Sequence, residues 1–264
     1  MTDSSLAVRG NLPCSARMPG SRLFRAYLTE AKYECLRSLR MPGFAAPFLV
    51  LPFALYLFFG VVLFGSSKEP NTALYIFLAF AVFGVMGPGM FGFGVFVATE
   101  REQSLITLKR ALPAPPAANL LAKMLMATLF AVLVMITMIG AALFIAHLRL
   151  TFAQFLSQAV INVLGSLPFC ALGLFIGTRA SGKSAPAFVN LMYLPMIYLS
   201  GFFFPLPHSI HWIQFASPAF YLDQLALSAV GLPASGTPLS NAAVLVAVTL
   251  LFGALAVRRL ARVG

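Results

Sequence analysis

Charge is scarce in this sequence. Of 264 residues only 9% are charged, 60% are hydrophobic, and the mean hydropathy is +0.90. A soluble domain carries roughly 25% charged residues, so this composition excludes a soluble enzyme and a disordered chain. Cysteine is scarce as well: Cys14, Cys35 and Cys170 are odd in number and show no CxxC or CxxH spacing. A disulfide framework and a zinc site are therefore not expected.

Long apolar runs are abundant instead. Since about 20 apolar helical residues cross a bilayer, we predict an all-α integral membrane protein with six transmembrane helices. The predicted spans are 43–65, 72–99, 122–146, 155–178, 186–205 and 239–257. The second run would be about 42 Å long as a helix, so it must tilt or kink, and Pro88 is the natural place for a kink.

The positive charges have a strongly uneven distribution. Sixteen of the 18 Lys and Arg residues lie in segments that six spans would place on one side, and the other two are Lys68 and Arg149. Positively charged loops resist translocation, so this bias predicts a multi-pass protein of the cell (inner) membrane with both termini cytoplasmic. It also explains the net charge of +11 without a nucleic-acid partner, which would require a compact basic surface.

The region before the first span divides into two parts. We expect residues 1–21 to be a disordered cytoplasmic N-terminus and residues 22–264 to form a single transmembrane domain. Within 23–40, apolar residues recur at steps of three and four between cations. This pattern predicts an amphipathic helix on the membrane interface, in contact with lipid headgroups. A helix packed on a partner protein is the alternative.

Two short patterns resemble catalytic or binding motifs. Residues 177–184 (GTRASGKS) formally match a phosphate-binding loop, but that motif needs a preceding strand and an aspartate for Mg²⁺. The chain has only two aspartates, Asp3 and Asp223, and apolar spans flank the loop. His208 and His211 lack a third ligand nearby for a metal. We therefore expect no catalytic, cofactor-binding or metal site in this chain.

Two further segments point to a function. Residues 100–112 (EREQSLITLKRAL) place leucines at helical spacing just after the second span, and prolines follow. A short amphipathic helix of this kind is what docking of a soluble partner requires, whereas an ordinary polar loop is the alternative.

Residues 199–221 contain Pro205 and Pro207 and then a second apolar stretch. We predict a re-entrant or interfacial segment there, with Trp212 and Tyr221 at the headgroup level.

The order of these two segments resembles the permease subunits of ABC type-2 (ABC-2) exporters. In that family an E-R-E closes the second span, a Thr-Leu-containing helix and a proline follow, and Gly-Lys opens the third span. Glu100–Glu102, Thr107, Leu108 and Pro113 match, while Ala122–Lys123 stands for Gly-Lys, and Ile106 and Lys109 depart. A second signature is matched by Ser200, Gly201, Phe204, Pro205, Pro218 and Tyr221, with Ser217 departing from the usual Asn.

The resemblance implies a permease that works with a separate ABC ATP-binding subunit and a second permease chain, and we favour a homodimer over a heterodimer. ATP and Mg²⁺ would then be bound by the partner, and this chain would hold no cofactor. The implied coupling helix comprises Glu100, Arg101, Glu102, Leu105, Leu108, Lys109, Arg110 and Pro113. The implied exit segment comprises Ser200, Gly201, Phe204, Pro205, Trp212, Pro218 and Tyr221.

The sequence says less about the substrate than about the partner. The spans contain almost no ionisable residue, which argues against an ion-coupled transporter. We favour export of a hydrophobic, lipid-linked or drug-like molecule. The alternative class is a polytopic membrane scaffold without transport, or a membrane-embedded enzyme.

Overall fold

A computed structural model describes residues 20–64, 71–105, 116–148, 150–201 and 208–263. Within these ranges all regular secondary structure is helical. The helices are α1 (Gly20–Leu39), α2 (Pro42–Tyr56, continued by a π-helix at Leu57–Leu63), α3 (Thr72–Glu102), α4 (Pro116–Phe144), α5 (Phe152–Gly165), α6 (Leu167–Gly177), α7 (Ala185–Leu199), a 3₁₀ helix (His208–Ala216), α8 (Pro218–Val230) and α9 (Pro238–Val263). The predicted all-α class is confirmed.

Five helical segments are long and apolar enough to cross a membrane. They are Pro42–Leu63, Thr72–Glu102, Asn119–Phe144, Phe152–Gly177 and Pro238–Leu260. The fifth predicted span, 186–205, corresponds to α7, which has only 15 residues. At 1.5 Å per residue α7 is about 22 Å long, less than the hydrocarbon thickness. It ends at Leu199, and Gly201 follows with a φ of +79°, so a count of six full spans is not confirmed.

The fourth span consists of two helices in line. The α5 helix ends at Gly165 and α6 starts at Leu167, with Ser166 between them. Pro168 occupies the first turn of α6, where its missing N–H costs nothing. The predicted single crossing at 155–178 is therefore interrupted near its middle.

The α3 helix lies at the centre of the bundle. It packs most extensively on α6 and also contacts α2, α4 and α7. Small residues allow the close contact with α6: a methyl group added to Gly173 would lie 2.6 Å from the Met90 carbonyl oxygen. A methyl group at Gly177 would lie 2.8 Å from the Phe93 oxygen. The backbones of α3 and α6 therefore approach each other as closely as glycine permits.

One end of the bundle collects the charged side chains, and we call it the charged end. The C-terminus of α3, the start of α4 and the second half of α1 meet there, joined by ion pairs. The loop between α6 and α7 joins them through Arg101, and Ala256 near the end of α9 packs against Phe93 and Leu174. The segments that the charge bias assigned to one side of the membrane thus meet at one end of the fold.

The predicted amphipathic helix at 23–40 is present as α1, which begins at Gly20. It lies along α4 and buries Ala31, Glu34 and Ser38, while Phe24 and Leu28 are exposed. Part of the predicted apolar face is therefore free to contact lipid, and a polar strip faces the protein instead. Residues 1–19, most of the segment predicted to be disordered, lie outside the described residues.

Candidate functional site at the charged end of the bundle

A buried lysine ties three helices together at the charged end. Lys123, in the second turn of α4, has a fully buried side chain. Its Nζ lies 2.5 Å from Glu34 Oε1 of α1 and 2.8 Å from Glu100 Oε1 of α3. Glu34 and Glu100 are only 5% and 1% exposed. The ammonium group thus holds two carboxylates from helices that are distant in sequence.

Two further side chains complete this group. Arg37 Nη1 donates to Glu100 Oε1 at 3.0 Å and lies 3.9 Å from Glu34 Oε2. Asn119 Nδ2 donates to Glu100 Oε2 at 3.3 Å. We call Glu34, Arg37, Glu100, Asn119 and Lys123 the Lys123 cluster. Two cations balance two carboxylates, so the cluster is formally neutral, which is the condition under which buried charges are tolerated.

An aromatic wall closes the cluster on one side. Arg37 and Lys123 lie 5.3 Å and 5.7 Å from the centre of the Phe96 ring, within cation–π range. Phe96 in turn packs on Phe44, whose ring centre is 4.9 Å away. Burial, and after it the Glu34 carboxylate, raise the pKa of the neighbouring Cys35 thiol. The cluster therefore lies in surroundings of low polarity, where breaking one ion pair costs more than it would at the surface.

The next residue of α3 makes a separate connection. Arg101 donates one hydrogen bond to the Thr178 carbonyl and another, at 2.7 Å, to the Ala180 carbonyl. These oxygens follow the last turn of α6, where carbonyl groups lack partners within the helix. The end of α3 is thus attached to α1 and α4 through Glu100 and to the α6–α7 loop through Arg101.

Glu102 contacts the same loop from its exposed position. Its carboxylate lies against Gly182, within the stretch that resembles a phosphate-binding loop. The loop follows helix α6 and precedes helix α7, whereas the motif requires a preceding strand. The Ser181 and Ser184 hydroxyls pair at 2.8 Å, and the Arg179 guanidinium lies 3.8 Å from the Phe175 ring centre. The absence of a nucleotide site in this loop stays a prediction.

The structure changes the role expected for Glu100. The sequence suggested that its charge helps to register a soluble partner, but a carboxylate that is 1% exposed cannot form part of a docking surface. Glu102, Gln103 and Ser104 are exposed at this position instead, and Leu105 is half-buried. Leu108, Lys109, Arg110 and Pro113 of the predicted coupling helix lie outside the described residues.

The predicted exit segment lies at the opposite end. Ser200 donates to the Ile197 carbonyl, and Tyr221 donates to the Phe215 carbonyl at 3.0 Å. Trp212 is 70% exposed, and Pro218 starts α8. The chain there runs as α7, the 3₁₀ helix and α8, while Phe204 and Pro205 lie outside the described residues. The depth of this segment in the membrane stays a prediction.

No group of three or more potential metal ligands occurs among the residues that the structure describes. The Gln224 amide donates to the Asp223 carboxylate at 3.4 Å.

Sequence reasoning missed the Lys123 cluster. It assigned Lys123 to the topology signal and Glu34 to the polar face of α1. One signal was available: Lys123 stands alone within a run of apolar residues, Leu120 to Thr128, where an unpaired cation would be costly. Its partners could not be identified because they are 89 and 23 residues away along the chain.

Comparisons with known proteins give a consistent result. The family model described as ABC-2 type transporter matches residues 25–230. A Bacillus subtilis (strain 168) protein with the name "Putative transport permease YvfS" is 26% identical over 224 residues, which cover 83% of this chain and 90% of that protein. The range matched by the family model includes the α3 terminus and every residue of the Lys123 cluster.

Proposed function

The chain belongs to the ABC-2 type transporter family, and on that premise we propose that it is the membrane-spanning subunit of an ATP-driven exporter. The single observation that carries this proposal is the α3 terminus, where adjacent residues connect α3 to α1, α4 and the α6–α7 loop. It immediately precedes the segment that resembles the family's coupling helix. A separate ABC ATP-binding subunit would dock beneath this end and supply ATP hydrolysis.

The connections suggest how a docking force would be distributed. A push on Gln103–Leu105 acts on the end of α3, and the two attachments there oppose a movement of α3 alone. Through Glu100 the force reaches Lys123 of α4 and Arg37 of α1. Through Arg101 it reaches the start of the loop that leads into α7. We therefore infer that these helices move together when the ATP-binding subunit closes, as a rigid-body switch requires.

Cavities along one face of the bundle support transport rather than a scaffold role. A cavity of about 790 Å³ lies among α2, α3 and α7 towards the charged end, and one of about 500 Å³ continues along the same helices. Phe83 and Leu194 line both. Cavities of this size suit drug-sized ligands. We propose that this face, completed by a second permease chain, forms the path for a hydrophobic, lipid-linked or drug-like molecule.

The charge distribution supports the orientation. The charged end contains the C-terminal part of α9 and the α6–α7 loop, both rich in Lys and Arg. By the positive-inside rule this end faces the cytoplasm, which is where an ATP-binding subunit obtains ATP. The cell membrane, with both termini inside, is the proposed location.

Photo-crosslinking tests the docking site. The residue p-benzoylphenylalanine, placed at exposed Gln103 in the full-length chain, should crosslink in cells to an ATP-binding subunit that mass spectrometry can identify. Placed at exposed Pro233, at the opposite end of the bundle, it should give no such product. Failure of the Gln103 position to capture an ATPase, with the chain correctly inserted, would leave the scaffold or embedded-enzyme reading in its place.

A further inference from the structure

The larger of the two cavities has a polar end and an apolar interior. It extends from Arg40 and Gly43, at the turn between α1 and α2, to Phe83 and Leu194 in the middle of the bundle. Along α3 its wall runs from Phe96 to Phe83, about 20 Å by the helical rise. The cavity is therefore about 20 Å long, and its polar end, at Arg40, lies next to the charged end of the bundle.

The lining contains one charge. Aromatic, aliphatic and proline side chains form most of the wall, and its polar side chains are Arg40, Asn190 and Tyr193. The Tyr193 hydroxyl already donates to the Phe83 carbonyl at 3.3 Å. No carboxylate lines this cavity among the described residues. A cationic ligand would thus meet only a like charge, whereas an anionic group would find a partner at the mouth.

Arg40 differs from the other arginines near it. Arg37 is bound to Glu100, and Arg101 is bound to backbone carbonyls. Arg40 is exposed; its backbone N–H donates to the Leu36 carbonyl at 3.0 Å, and its guanidinium makes no hydrogen bond or ion pair with the residues that the structure describes. A guanidinium with five donors, set beside an apolar cavity, is suited to a carboxylate or phosphate.

We propose that this cavity binds the cargo as a single-chain amphiphile with an anionic headgroup. The headgroup pairs with Arg40, and the chain lies along the apolar wall towards Phe83 and Leu194, where the second cavity continues. Such a ligand enters from the cytoplasmic leaflet, where its headgroup already lies at the depth of Arg40. This proposal rests on the proposed export function and narrows its substrate class.

Binding to the full-length permease tests it, without any ATP-binding subunit. The chain is reconstituted in nanodiscs of zwitterionic phosphatidylcholine and titrated with dansyl-undecanoic acid, or with the neutral methyl ester of the same probe. The acid should bind more tightly than the ester. Arg40→Gln should weaken binding of the acid by about fivefold to tenfold and leave the ester unchanged, since one interfacial cation contributes that much to an anionic headgroup.

Two variants serve as controls for position. Lys32→Gln removes an exposed cation of α1 that does not line the cavity and should leave both probes bound as in wild type. Leu51→Trp fills the cavity from an exposed position of α2 and should weaken both probes alike. Equal binding of acid and ester, or an equal effect of Lys32→Gln and Arg40→Gln on the acid, would overturn the proposal.

A final measurement distinguishes a site for cargo from a site for bilayer phospholipid. Replacing a fifth of the phosphatidylcholine by phosphatidylglycerol, which carries an anionic headgroup on two chains, should not displace the acid if the site selects a single-chain ligand. Complete displacement would show a site for bilayer lipid and overturn the assignment. All of these outcomes are independent of the Gln103 crosslink. Failure of the proposed substrate class can therefore be distinguished from failure of the proposed exporter function.

Discussion

At the scale of single residues, the Lys123 cluster is the feature with the largest energetic consequence. Lys123 sits between two buried carboxylates, and Arg37 supplies the second positive charge. A buried ion pair adds little net stability over apolar residues, but removing one partner leaves a charge without compensation. The balance of charges within the cluster, more than any single contact, therefore decides whether α1, α3 and α4 assemble.

Substitution of Lys123 tests this balance. Within the Lys123 cluster, Lys123→Met leaves Arg37 as the one cation for Glu34 and Glu100 and should destabilise the fold by about 3–5 kcal/mol. The double variant Lys123→Met, Glu34→Gln restores neutrality and should recover part of the loss. Thermal unfolding in detergent, followed by fluorescence-detected size exclusion, measures both, and the exposed Lys183→Met is the matched control. A double variant that melts below the single variant would show that charge balance is not the cause.

At the scale of helices, the contact between α3 and α6 organises the bundle. Glycine at positions 173 and 177 lets the α6 backbone lie against carbonyl oxygens of α3. Backbone atoms cannot move aside as a flexible side chain can, so any added carbon must separate the helices. Since α3 also contains Glu100 and Arg101, its distance from α6 determines whether Arg101 reaches the loop after α6.

Two glycine-to-alanine substitutions, one at the contact and one away from it, test this contact. Gly173→Ala places a methyl group against the Met90 oxygen and should cost about 1–3 kcal/mol or more, as overpacking does. Gly140→Ala, in α4, meets no atom within 4 Å and should be neutral or slightly stabilising, because alanine favours helix. The melting temperatures of the two purified variants give the comparison. Equal values would contradict a close α3–α6 contact.

At the scale of the whole molecule, the arrangement of the helix ends supports the orientation in the membrane that we propose. The end of α3, the start of α4, the α6–α7 loop and the end of α9 lie together, as the charge bias requires of segments on one side. The α5 N-terminus, with its Thr151–Gln154 capping box, and the start of α9 lie away from them. The second half of α1 and the last part of α9 are thus both at the charged end.

Reporter fusions test which side that end faces. Green fluorescent protein fused after Gly264 should fluoresce, because it folds in the cytoplasm, and alkaline phosphatase at the same position should be inactive. Alkaline phosphatase inserted after Ser235, between α8 and α9, should be active because that turn faces outward. The reverse pattern of activities would invert the proposed topology and place the coupling segment on the wrong side for ATP.

Composition and local pattern were sufficient for the membrane class, for the approximate positions of five spans and for α1. These features depend on the apolar length of a segment and on helical periodicity, both of which are local properties of the chain. The fifth span was predicted too long because the apolar run continues past Leu199, and hydropathy does not detect the end of a helix there. The break at Ser166 was missed for the same reason.

The sequence by itself determined that this chain enters a membrane and which segments share a side, because hydrophobicity and the positive-inside bias act on each segment separately. Only the tertiary structure decided that Lys123 lies between Glu34 and Glu100, that Arg101 holds the α6–α7 loop, and that Arg40 stands at the mouth of a cavity. Those contacts join residues that are far apart along the chain. Whether a charged side chain is buried in an ion pair or left beside a cavity depends on which helices pack around it, and the sequence pattern does not show that.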